Sequence, residues 1–173
     1  MASRPAAGFT LIELMVTIGI GAILLTLALP SFTDSIRSNR VSTATNQILA
    51  TINLARAEAL RSKSNAWVCP TTDGATCAAT WSTTAGLLVW TDENGDTNFT
   101  AAKVKRVIQP QEGILTIVNG FTKIGFDDRG RTWDQRSRTF TVQATQCKPG
   151  AYNLRSFDIN RIGRVTVTKR TCS

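Results

Sequence analysis

Three groups of side chains in this chain could do chemistry, and the first is a single carboxylate. Glu13 is the only charge in the 21 residues from Phe9 to Leu29. A carboxylate inside an apolar layer costs roughly 2.5–3.5 kcal/mol on insertion scales, so it calls for a partner that neutralises it. The second group is basic: Arg155, Arg161, Arg164, Lys169 and Arg170 fall within a C-terminal segment, residues 129–173, that holds 10 Lys and Arg against 2 Asp and Glu. Arginine forks and lysines grip phosphates without reading base sequence, and such binding falls steeply with salt. The third is an alternating series of oxygen donors, Asp92, Asn94, Asp96 and Asn98. Its spacing departs from the calcium-loop pattern, because Gly95 stands fourth rather than sixth and no glutamate closes the loop at the twelfth position. A hairpin loop is expected there, with no metal.

Catalysis finds little support in the composition. The chain has no histidine, and its Asp, Glu, Lys, Ser and Cys residues do not recur in any nucleophile–base pattern. No cofactor is implied. The four cysteines, Cys69, Cys77, Cys147 and Cys172, form an even set. Their spacings are not those of close zinc-binding pairs, and an exported chain would hold them as disulfides. Three pairings are possible; the favoured one joins Cys69 to Cys77 across a Pro/Gly/Thr-rich loop and Cys147 to Cys172 across the last strand.

The elements that must position these groups follow from periodicity. Phe9–Leu29 is long and apolar enough to cross a bilayer as a helix, and too long for a cleaved signal peptide, whose apolar core is about 7–15 residues. Beyond Pro30, which should bend or loosen the helix, the residues Ile36, Val41, Ala44, Ile48, Ile52, Ala55 and Ala59 recur mostly at three- and four-residue steps. That spacing predicts an amphipathic continuation to about Arg61, with Arg37, Arg40, Asn46, Asn53 and Arg56 around the other side. After Asn65 come short β-rich runs: Ala66–Cys69, Gly86–Trp90, Lys103–Ile108, Ile114–Val118, Lys123–Phe126, Arg138–Ala144, Arg155–Ile159 and Arg164–Lys169. Asn94-Gly95, Asn119-Gly120 and Arg129-Gly130 supply turns. An α+β domain is expected, its long helix packed on an antiparallel sheet or small β-sandwich. In the final strand Arg164, Thr166, Thr168 and Arg170 should share the solvent face and Val165, Val167 and Lys169 the other.

The residues Gly8-Phe9-Thr10-Leu11-Ile12-Glu13, after a short leader carrying Arg4, resemble the class III leader of type IV pilins and type II secretion pseudopilins. The resemblance implies a leader, residues 1–8, removed by a prepilin peptidase that cuts after Gly8 and methylates Phe9. It implies a transmembrane and assembly helix at 9–29, an amphipathic continuation at 30–62 and a periplasmic β-rich domain at 63–173. Glu13, fifth after the cut, would pair with the N-terminal amine of a neighbouring subunit, and Pro30 matches a helix-kinking proline. Leu88-Val89-Trp90-Thr91-Asp92-Glu93-Asn94-Gly95-Asp96 and Ile162-Gly163-Arg164-Val165 before Cys172 resemble the GspH/FimT group of that family. The partners implied are other minor and major pilins and the inner-membrane assembly platform, with the mature subunit at the pilus tip. DNA-binding members carry a C-terminal Gly-Arg-x-Arg element. Gly163-Arg164-Val165 matches its start, but Thr166 replaces the second arginine, so uptake of double-stranded DNA is an alternative expectation; the H-type pseudopilin of type II secretion is another.

Overall fold

In the computed structural model, residues 8–81, 86–93, 95, 98–100, 103–109, 113–118 and 120–172 are described, except for the side chains of 27–31 and 115–118. A single helix, α1 (Leu11–Ser62), precedes eight strands: β1 (Asn65–Thr71), β2 (Gly86–Asp92), β3 (Val104–Ile108), β4 (Ile114–Val118), β5 (Ile124–Phe126), β6 (Arg138–Ala144), β7 (Leu154–Ile159) and β8 (Val165–Arg170). The chain divides into two compact units, Met1–Ile36 and Arg37–Ser173.

In the first unit the helix starts at a capped end. The Thr10 hydroxyl accepts a hydrogen bond from the Glu13 amide at 3.3 Å, the arrangement of a Ser/Thr-x-x-Glu start. The hydroxyls of Thr17 and Thr26 donate to the carbonyls of Leu14 and Ile23, at 2.9 and 2.7 Å. Bonded to their own helix, these groups can sit in an apolar medium without an unsatisfied donor. The surrounding side chains, Phe9 to Leu25, lie in the open, Phe9 with 84% of its surface exposed.

In the second unit two antiparallel four-stranded sheets, in the orders β3-β2-β1-β5 and β4-β6-β7-β8, enclose a core with the helix. Val41, Ala44, Ile52, Ala55 and Ala59 bury one face of α1 against Ala66, Val68, Val89 and Phe126 of the first sheet and Phe140, Val142, Phe157 and Ile159 of the second. Three alanines on that face let both sheets approach the backbone closely. Phe140 and Phe157, directly paired across β6 and β7, stack at 4.7 Å. Ile36, expected to join this face, is exposed and falls in the first unit.

The first sheet is buried on both faces. Trp67, Cys69, Leu88 and Trp90 form a second apolar cluster on its outer side, joined by Cys77, Phe99, Val104 and Val107. This is why β1 and β2 read as almost continuous apolar runs rather than alternating ones. Glycine is required beneath that cluster: a Cβ on Gly125 would lie 2.4 Å from ring carbons of Trp67 and 2.7 Å from Trp133. Lys123 Nζ sits 4.1 Å from the Trp67 ring centroid, and burial among the rings lowers the lysine pKa against the opposing pull of Asp92.

Cys69 is bonded to Cys77 and Cys147 to Cys172. The first disulfide closes a loop organised by Asp73. Its carboxylate accepts from the amides of Ala75 and Thr76, both at 2.8 Å, and from the hydroxyls of Thr71 and Thr76, at 3.0 and 2.7 Å. The Thr76 hydroxyl, followed by the amides of Thr76 and Ala75, holds the Asp73 carboxyl well below the usual carboxylate range. A carboxyl with a lowered folded-state pKa contributes stability above its unfolded pKa, near about 4, and loses it as pH falls toward the folded value. Asp73→Asn should therefore flatten the loss of stability between about pH 4 and pH 2. Parallel denaturant titrations of both proteins over that range check this; identical acid limbs would contradict it.

Candidate functional site

The residues implicated in processing and assembly lie together at the chain's N-terminal end. Gly8 and Phe9 are exposed ahead of the first helical turn, and Glu13 lies within it on the exposed apolar stretch. Among the described residues no helix is long and apolar enough to cross a membrane. The described side chains of the apolar run stop at Thr26, so those of 27–31, which include Pro30, lie outside the described residues; Arg4 lies outside them too.

The Gly163-Arg164 element is a turn with a structural reason for each residue. After β7 the chain reverses through Asn160–Gly163: the Gly163 amide donates to the Asn160 carbonyl at 2.9 Å, and the Arg164 amide to Asn160 Oδ1 at 2.9 Å. Gly163 has φ +79°, and a Cβ there would lie 2.1 Å from the Gly130 carbonyl oxygen. Only glycine meets both conditions. Arg56, from the helix, ties the two loops together, its Nε donating to the Gly130 carbonyl at 2.8 Å and its Nη2 to the Ile162 carbonyl at 3.0 Å. The Arg161 carbonyl accepts from the Thr132 amide at 3.1 Å. Beside this clamp the side chains of Arg161 and Arg164 are exposed, with exposed Arg129 on the neighbouring loop. Arg131 is engaged by Asp127 at 2.8 Å.

The structure divides the expected basic group between two ends of the second sheet. Exposed Arg164, just before β8, and exposed Arg170, at its end, are six residues apart, about 20 Å along a strand. Val165 and Val167 pack toward the core, and Lys169, on their side, places Nζ 5.1 Å from the Tyr152 ring centroid. Arg155, expected near the basic group, is buried instead of standing beside it in solvent. It is 9% exposed, pairs with Lys169 across the β7–β8 ladder, and its Nη1 donates to the carbonyls of Tyr152 and Leu154 at 2.9 and 3.0 Å. Burial lowers its pKa. It braces the Tyr152 turn and is not available to a ligand in solvent.

Of the oxygen-donor series, Asn94 and Asp96 lie outside the described residues. Asp92 is buried at the end of β2, its Oδ1 3.7 Å from Lys103 Nζ. Among the described residues no group of three His, Cys, Asp or Glu could hold a metal ion. Asp92 serves an ion pair beside the tryptophan cluster.

Gly163→Ala would put a residue with a Cβ into a left-handed conformation against a carbonyl. It should cost about 2–4 kcal/mol and lower Tm by about 5–15 °C, whereas Arg164→Gln, on exposed surface, should change stability by less than about 0.5 kcal/mol. Thermal unfolding of the two variants separates the roles of this dipeptide; equal Tm values would contradict the turn argument.

Residues 3–29 match the prokaryotic N-terminal methylation motif, and residues 44–163, more than half of the chain, match the family of the type II transport protein GspH. No curated protein matches the chain. Among solved structures the fold is similar to the type IV minor pilin FimU of Pseudomonas aeruginosa in two crystal forms. In space group P21 the TM-score is 0.55 at 18% identity, covering 75% of this chain and 89% of FimU. In space group P65 it is 0.54 at 18% identity, covering 73% and 91%. Proteins of this kind are structural subunits, not enzymes, and the methylation motif implies anchoring in the inner membrane. With helix, paired sheets and both family motifs in place, the chain belongs to the GspH family of type IV minor pilins and pseudopilins.

Proposed function

We propose that this chain is a minor pilin of a type IV pilus. It would be processed by prepilin peptidase after Gly8 and held in the inner membrane by Phe9–Leu29, with residues 63–173 in the periplasm. From there it would join other minor pilins on the assembly platform to prime the filament and sit at its tip. The observation that carries this reading is in the first unit: a capped helix whose apolar side chains are exposed from Phe9 to Leu25, a stretch with a single carboxylate, Glu13. Such a surface needs lipid or other apolar helices around it. In either setting it is already apolar-solvated, so moving from bilayer to filament gains little burial energy and docking must be directed by polar pairing. Glu13 with the N-terminal amine of a neighbour's processed Phe9 supplies that pairing. The likeness in fold to a type IV minor pilin supports the same reading.

A second reading, capture of double-stranded DNA for uptake, is favoured by exposed Arg161 and Arg164 on one turn beside Arg129. Against it stand Thr166 in place of a second arginine, the burial of Arg155 and the distance to Lys169 and Arg170. The tip-building reading predicts no saturable binding of duplex DNA by the purified full chain across a salt series. Binding that weakens steeply with salt and is lost in Arg161→Gln/Arg164→Gln would promote the DNA reading instead. For the assembly chemistry, Glu13→Ala should insert in the inner membrane at the wild-type level yet fall about tenfold or more in sheared pili. Immunoblots of membrane and pilus fractions measure both quantities, and undiminished incorporation would overturn the pairing.

A further inference from the structure

Away from the Arg161–Arg164 turn, the second unit has one end at which cations gather. There the helix enters at Arg37, whose Nη2 donates to Gln146 Oε1 at 2.6 Å. Arg40 lies against Gly113, its Nη1 3.4 Å from where a Cβ would stand, and the Gly113 carbonyl accepts from the Thr145 amide at 2.9 Å. The β6–β7 connection and the end of β8 meet at the same place. The Gly150 amide donates to the Cys172 carbonyl at 3.0 Å, the Cys172 amide to the Ala151 carbonyl at 2.9 Å, and the Cys147–Cys172 disulfide closes the group. We propose that this end is a basic collar, formed by Arg37, Arg40, Lys148, Lys169 and Arg170 with Tyr152, that rests on anionic lipid headgroups while the subunit waits in the membrane.

The contributing segments are mostly basic, with Asp34, three residues before Arg37, and Glu112, next to Gly113, among the acids beside them in sequence. Residues 37–57, 142–157 and 164–172 contain no Asp or Glu. Asp73, beyond the Thr71 end of β1 in the other sheet, directs its carboxylate at the amides and hydroxyls of its own loop. Arg40, Lys148, Lys169 and Arg170 are exposed, so a negatively charged layer meets them directly. Tyr152 is 58% exposed, with Lys169 Nζ over its ring; an aromatic with a polar tip beside a cation suits the headgroup region of a bilayer. The surface is also held rigid, because buried Arg155 bonds the Tyr152 and Leu154 carbonyls from beneath.

The chain length sets the reach, whatever the angle between the units. Arg37 lies eight positions after Leu29, about 12 Å as helix and at most about 28 Å fully extended. If Phe9–Leu29 is embedded, as the proposed function has it, the collar cannot be far from the headgroups. Lipid is favoured over DNA by nearness in sequence, since Arg37 and Arg40 lie 8 and 11 positions after Leu29, the end of the apolar run. Such attachment would hold the domain against the bilayer until other subunits compete for it.

The test uses the full chain in nanodiscs of phosphatidylcholine, with and without phosphatidylglycerol, read by amide hydrogen exchange. With phosphatidylglycerol present, exchange across Lys148–Tyr152 and Val165–Arg170 should slow by about fivefold or more. High salt should remove the effect, as should Lys148→Gln/Lys169→Gln/Arg170→Gln; Arg161→Gln/Arg164→Gln, at the other end of the sheet, should keep it. Equal exchange of the wild-type chain in both lipids overturns the collar while leaving the membrane reading intact. Failure of the chain to associate with either disc would overturn the embedding itself, and the collar with it. Protection of these segments by added duplex DNA in place of phosphatidylglycerol would assign the surface to nucleic acid and overturn the lipid proposal.

Discussion

One helix with two kinds of apolar surface sets the terms for the whole chain. From Val41 to Ala59 its buried face is met by both sheets of the same chain. From Phe9 to Leu25 large aliphatic and aromatic side chains stand exposed. Burial of apolar surface is the main favourable term in folding and association, so the first surface is satisfied within the subunit and the second only by a bilayer or by other subunits. The chain is thus built with one half of its helix reserved for surroundings that it does not itself supply.

The rest of the fold keeps the covered half well defined. Alanines at 44, 55 and 59 bring the sheets close to the helix backbone, and Arg56 fastens the two loops at the far end of the sandwich through their carbonyls. The Cys147–Cys172 disulfide fastens the opposite end, where the chain would otherwise fray after β8. Each end therefore carries exposed cations on a braced turn rather than on a loose tail. A rigid basic surface loses less conformational freedom on meeting a partner, which favours specific contact over diffuse attraction.

Much of this fold was legible in the residues. The helix was readable from the unbroken apolar length of Phe9–Leu29 and from the period near 3.6 of the apolar positions beyond Pro30, and all eight strands because β-branched and aromatic runs alternate with turn residues. The boundaries moved by only a few residues: β1, for example, extends to Asn65–Thr71 from the expected Ala66–Cys69. Sheet order was not readable, since β5 joins β1 while β4 leaves for the other sheet, a choice made by tertiary packing. Nor was the outer tryptophan cluster foreseen, although the unbroken apolar runs of β1 and β2 carried its signal. At the basic face, alternation correctly turned Val165 and Val167 inward, but it could not show that the Arg155 guanidinium folds under the Tyr152 turn. The glycine of the Gly-Arg pair reads as a backbone requirement only once its φ and the Gly130 carbonyl are known.

If the proposed function holds, the exposed half of the helix ends up among the helices of a type IV pilus. The most direct measurement places a photo-crosslinking residue at Ile18, on the exposed apolar run, and examines sheared pili and membranes from the same cells. Adducts between this chain and other pilins should form in the sheared filaments, and none when the assembly motor is disabled. A chain that stays out of the filaments, forms no pilin adducts and whose loss abolishes exoprotein secretion with piliation intact would contradict the proposed function and assign the subunit to a type II secretion machine.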